Sequence, residues 1–152
     1  MGAVYFYHLT EQRLDQTLPV LLGKARGQGW RVAVRGRSMD QLTALDTALW
    51  QGDGFDPHAM AGGPHDAAQP VLLTTQNTAA NDPDCLMCID GAEITATEVP
   101  GYKRACVLFD GNDDAALNTA RNQWKTLTDA GCAAQYWAQS SGRWEKKAEK
   151  GT

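Results

Sequence analysis

Three residues in the last third of the chain, Arg121, Trp124 and Lys125, have the types and spacing that suit recognition. On a helix, positions four apart stand one turn from each other, so Arg121 and Lys125 place two cations on one flank with the Trp124 indole at the border beside them. Two cations within reach of one carboxylate, next to a ring that covers an apolar group, suit the end of an acidic peptide that terminates in a hydrophobic residue. The same spacing also fits a helix that simply packs its indole and solvates its cations.

Other chemistries fail at their own test positions. A dinucleotide site needs glycines after the first strand so that backbone approaches the pyrophosphate, and the turn there is HLTEQR, with none. No GxxxxGK[ST] run exists for a nucleoside triphosphate. DGNDD at 110–114 starts like a calcium loop, but the sixth position is Ala115 rather than Gly and the twelfth is Arg121 rather than Glu. His8, His58 and His65 have no paired metal-ligand spacing. Cys85 and Cys88 lie in the apolar run CLMCID, and Cys106 and Cys132 supply no second close pair, so all four read as buried free thiols. We expect no cofactor and no metal.

The element carrying the three residues is a helix over 113–131. Asp113 or Asp114 caps its start, Gly131 takes the left-handed position after its last turn, and Leu117, Ala120 and Leu127 form its apolar face. Upstream, AVYFYHL at 3–9 has the composition of a strand covered on both faces, and 30–34 is a second strand. Between them Leu14, Leu18, Leu21, Leu22 and Ala25 recur at helical spacing, with Pro19 demanding a late start or a kink. Ser38 and Gln41 form a capping box for a helix to Trp50, buried through Leu42, Leu45 and Leu49. The stretch from 53 to 70 reads as a loop with one aromatic, Phe55, and strands are predicted at 71–75, 85–90, 105–109 and 135–138. Strands alternating with helices give a three-layer α/β/α sandwich with a mainly parallel, mixed sheet, Rossmann-like without a cofactor motif. We expect one domain over 1–140 and a charged, mobile tail over 141–152.

The 43% hydrophobic content and 21% charge are those of an ordinary globular domain, no apolar run reaches the roughly 18 residues needed to cross a membrane, and the N-terminus lacks the order of a signal peptide, so the expected location is cytoplasmic. The formal charge of −4 is unevenly spread. Residues 38–114 carry thirteen acids against two bases, whereas residues 1–37 carry six bases against two acids. That acidic middle argues against a broad nucleic-acid footprint.

An ordered set of segments, FYHL, GWRVAVR, LTALDTALW, FDPH, QPVLLT, LMCIDGAE, LFDG and ARNQWKTLTDAG, spans about residues 5–138 and resembles the chi subunit family of bacterial DNA polymerase III. The resemblance implies a non-catalytic accessory protein of the clamp-loader assembly. One surface would hold the psi subunit and a second would bind the acidic, Phe-terminated tail of single-stranded DNA-binding protein, with DNA met only indirectly. On that resemblance the tail site falls on Arg121, Trp124 and Lys125, and the psi contact on Phe55 with Trp50, Pro57 and His58. The segment after residue 140 extends beyond some members and receives no role. Two rivals stand beside this reading: a degenerate nucleotide-binding enzyme of the same fold, and a direct single-stranded DNA binder using Arg31, Arg35, Arg37 and the tail lysines.

Overall fold

The computed structural model describes residues 3–10, 14–51, 58–60, 66–76, 79–140 and 143–150. In chain order these form β1 (Ala3–Leu9), α1 (Leu14–Gly27), β2 (Val32–Arg35), α2 (Met39–Gln51), β3 (His58–Met60), β4 (Val71–Thr74), β5 (Cys85–Cys88), β6 (Arg104–Asp110), α3 (Asp114–Asp129), β7 (Ala133–Ser140) and β8 (Arg143–Lys150). One sheet contains all eight strands, in the order β3-β4-β2-β5-β6-β1-β7-β8. Every neighbouring pair is parallel except β7 with β8.

The period of two along each strand divides the core between two helical layers. Tyr7, Leu9, Val32, Val34, Met87 and Leu108 face α1 and α2, against Leu18, Leu22, Leu42 and Leu45. Phe6, Ala33, Leu86, Ala105 and Val107 face the other way, against Ala120 and Leu127 of α3. Both faces of the inner strands are thus buried, which is why their sequences are continuous apolar runs rather than alternating ones. The expected three-layer α/β sandwich with a mainly parallel sheet is the observed fold.

Two strands lie where none was expected. His58–Met60, within the stretch read as loop, adds a short parallel edge to β4. The charged segment expected to be mobile is instead β8, paired antiparallel to β7 from Ser140↔Arg143 to Ala134↔Lys150. Backbone pairing is indifferent to side-chain polarity, so β7 templates a strand whose side chains are almost all exposed. Trp144 anchors it, meeting Tyr7 edge-on at 5.3 Å, and Glu149 accepts a cross-strand hydrogen bond from Gln135 at 3.0 Å. Its charged side chains also suit the outermost strand, where they discourage further pairing.

Pro19 sits inside α1, which begins at Leu14. Cys85, Cys88 and Cys106 are buried free thiols and Cys132 is half-buried and free; burial pushes the Cys88 thiol up to about 12. Among the described residues no cluster of three or more His, Cys, Asp or Glu is placed to hold a metal, and no helix is long and apolar enough to cross a membrane.

Candidate functional site

α3 is fixed at both ends by its own sequence. Asp113 Oδ1 accepts the Ala115 amide at 2.9 Å and the Ala116 amide at 3.3 Å, satisfying two N–H groups that the first turn leaves without carbonyls. At the other end Gly131, at φ +91°, takes the left-handed turn. The Cys132 amide then donates to Leu127 and the Gly131 amide to Thr128, the paired bonds of a Schellman terminus. The helix is therefore held in rotation as well as length, and the faces read from the sequence are the faces it presents.

Ala120 and Leu127 are buried, Leu117 is half-buried, and Arg121 and Lys125 are exposed. Neither cation has an ion pair or hydrogen bond among the described residues. Trp124 beside them is half-buried. Its ring meets Phe6 of β1 edge-on at 5.5 Å and Tyr136 of β7 at 5.9 Å, geometries that aromatic quadrupoles favour. The indole is thus braced from beneath while part of it remains at the surface.

The bracing ring is itself held. Tyr136 stacks on Phe6 at 6.5 Å, and its hydroxyl shares a 2.9 Å hydrogen bond with His8 Nδ1. Burial raises the Tyr136 phenol above its ordinary value, while the nearby positive charge of Arg121 acts in the opposite direction. Gly111 is required alongside, because a Cβ there would overlap the His8 ring.

The arrangement offers two cations without a partner among the described residues, one a planar fork and the other a mobile point charge, on one flank of a fixed aromatic surface. Sequence reasoning found Arg121, Trp124 and Lys125 but missed Phe6, His8 and Tyr136 behind them. The available signal was alternation: β1 and β7 pair directly, Phe6 stands opposite Tyr136, and both point to the α3 side. It also missed Gln123, a buried polar residue on the helix's inner face.

Of the residues assigned to the second surface, two belong to described elements, and both elements lie apart from this site. Trp50 is in the last turn of α2 and His58 opens β3, whereas Phe55 and Pro57 lie outside the described residues. α2 packs beside β3 and β4 at one edge of the sheet, and α3 packs on β6 and β7 toward the other edge, on the opposite face.

The family model described as DNA polymerase III chi subunit, HolC, matches residues 1–135. It thus takes in the whole of α3 and ends inside β7, leaving β8 beyond the matched region. No curated protein matches the chain.

Proposed function

The chain belongs to the DNA polymerase III chi subunit family and has an accessory role in DNA replication; from that premise we propose that it is a non-catalytic cytoplasmic adaptor. It joins the clamp loader, through the psi subunit, to the C-terminal tail of single-stranded DNA-binding protein. The observation that carries this reading is the pair of unpartnered cations one turn apart on α3, beside an indole fixed against Phe6 and Tyr136. Arg121 offers its fork to the terminal carboxylate of the tail, Trp124 packs against the terminal ring, and Lys125 meets the preceding acids. Cations already engaged with protein carboxylates would have to surrender those partners first; among the described residues these two have none.

The psi contact belongs to the residues around the end of α2 and the start of β3, namely Trp50, Phe55, Pro57 and His58. What supports its separation from the tail site is distance across the fold: the end of α2 and α3 occupy opposite faces and different edges of the sheet. Two partners held at such positions can be bound at once, as a bridging protein requires. We therefore expect Phe55→Ala to weaken psi binding and to leave binding of the tail peptide unchanged, measured by pull-down of psi and by fluorescence polarisation of a labelled peptide. Equal loss of both, with a circular dichroism spectrum like that of the wild type, would mean a single shared surface.

A further inference from the structure

The sheet order brings the two base-rich ends of the chain together. Residues 1–37 carry six bases against two acids and residues 121–152 six against three, and β1, β7 and β8 are consecutive strands at one edge. On one side of this edge α3 packs on β7. On the other side α1 packs further in, on β2 and β6, and β8 is exposed at every position except Trp144. Among the described residues that second side is therefore an open sheet face.

Its side chains are aromatic and basic. Tyr5, Trp137 and Trp144 pack against the α1-side core and all remain half-buried. Both indoles are fixed in place: Trp137 Nε1 donates to Gln135 Oε1 at 3.0 Å, and Trp144 meets the Tyr7 ring edge-on at 5.3 Å. A ring held in this way loses little freedom when another ring settles on it. Arg104, which opens β6, lays its guanidinium over Tyr5 at 4.3 Å and over Trp30 at 5.2 Å, and no carboxylate pairs with it among the described residues. Lys146 stands opposite Trp137 in the β7–β8 register. The nearby carboxylate of Glu149 already accepts from Gln135 and Lys146, at 3.0 and 3.1 Å. Lys24 and Arg26 in the last turn of α1 add positive charge beside Trp30, whose carbonyl takes a 2.7 Å hydrogen bond from Arg26.

We propose that this face of β1, β7 and β8 binds single-stranded nucleic acid without sequence preference, with bases stacked on Trp137 and Trp144 and phosphates met by Arg104 and Lys146. An open sheet face that carries rings for bases and cations for the backbone is a recurrent way of holding single strands. An acidic protein segment would use the cations and leave the two indoles without a partner. Two of the arginines that the sequence offers for such a contact are otherwise engaged: Arg35 is buried against Glu98, and Arg31 Nη1 donates to the Ala67 and Asn81 carbonyls. The face lies across the sheet from Arg121, Trp124 and Lys125 and shares no residue with them, so it stands whether or not those residues bind a peptide.

The test is fluorescence polarisation of a labelled oligothymidylate of about 12 nucleotides with the full chain, at several salt concentrations. Saturable binding that weakens as salt rises and that quenches indole fluorescence is expected. Trp137→Leu, checked for folding by circular dichroism, should weaken it about tenfold or more through loss of one stacked base. Failure to saturate at low salt, equal binding by Trp137→Leu, or displacement by polyglutamate as readily as by unlabelled oligothymidylate would each overturn the proposal, the last by assigning the face to an acidic protein segment. Should Trp137→Leu fail to fold, Arg104→Gln decides. It removes one phosphate contact, so the slope of log affinity against log salt should become shallower by about one, and an unchanged slope overturns the proposal.

Discussion

Replacing Glu98 with Ala should destabilise the protein by about 3 kcal/mol, because it removes the carboxylate that both terminal nitrogens of the buried Arg35 guanidinium reach. Arg35 ends β2 in the middle of the sheet, and its side chain is 4% exposed. Its two terminal nitrogens reach both Glu98 oxygens, at 2.7 and 3.3 Å, and Nη1 also donates to the Glu93 carbonyl at 2.9 Å. Glu98 Oε1 further accepts from the Thr95 amide and hydroxyl. These bonds fasten the segment that carries Ile94 and Val99 into the α3-side core. For a domain of this length the loss should lower the melting temperature by roughly 10 °C.

The pH dependence has a definite sign. Burial pushes the Glu98 carboxyl up, but the hydrogen bonds from Arg35 and Thr95 outweigh it and hold the folded value below the ordinary glutamate value of 4.5. The pair therefore contributes fully above about that pH, and its contribution is lost as pH falls through the depressed folded value. Melts of wild type and Glu98→Ala should converge in acid. Combining Glu98→Ala with Arg35→Met should recover part of the loss, since it removes the buried charge that Glu98 balanced. A double variant as unstable as the sum of the singles would assign the effect to packing instead.

How much of this was legible in the sequence varies with what each element needs. α3 was legible throughout because its signals are local: Asp113 caps, Gly131 turns, and Ala120 and Leu127 repeat at helical spacing. The inner strands were legible because burial on both faces leaves continuous apolar runs. β8 was not, since RWEKKAEK becomes a strand only through pairing with β7, and one indole does the anchoring. β3 was hidden for the same reason, being three residues that exist as a strand only beside β4. At the candidate site the exposed residues were readable from their chemistry. The rings behind Trp124 required knowing that β1 and β7, more than a hundred residues apart, are neighbours. Gln123 broke the apolar pattern of its own face, and a periodicity reading passes over such a residue.

Arg121→Ala should weaken binding of the acidic tail peptide by about 2 kcal/mol or more, roughly thirtyfold, as for loss of a charge-assisted, two-pronged contact. Lys125→Ala should cost nearer 1 kcal/mol and remove much of the salt dependence, because an exposed ammonium acts as a screened point charge. The inequality follows from the structure: both side chains are exposed and have no ion pair among the described residues, so burial and prior partners do not distinguish them, and head-group geometry does. Trp124→Ala is a poorer probe. Its ring packs on Phe6 and Tyr136, so its removal opens the α3 core face as well as the binding surface. Equal losses for Arg121 and Lys125 would show that charge alone, without a fork, recruits the peptide.

The most direct measurement of the adaptor account is a double-mutant cycle between Arg121→Ala and amidation of the tail peptide's C-terminus, followed by fluorescence polarisation at two salt concentrations. If Arg121 holds the terminal carboxylate, either change alone costs about the same, and the two together cost little more than one. Fully additive losses would contradict the account, because they would show that Arg121 and the carboxylate act on separate partners.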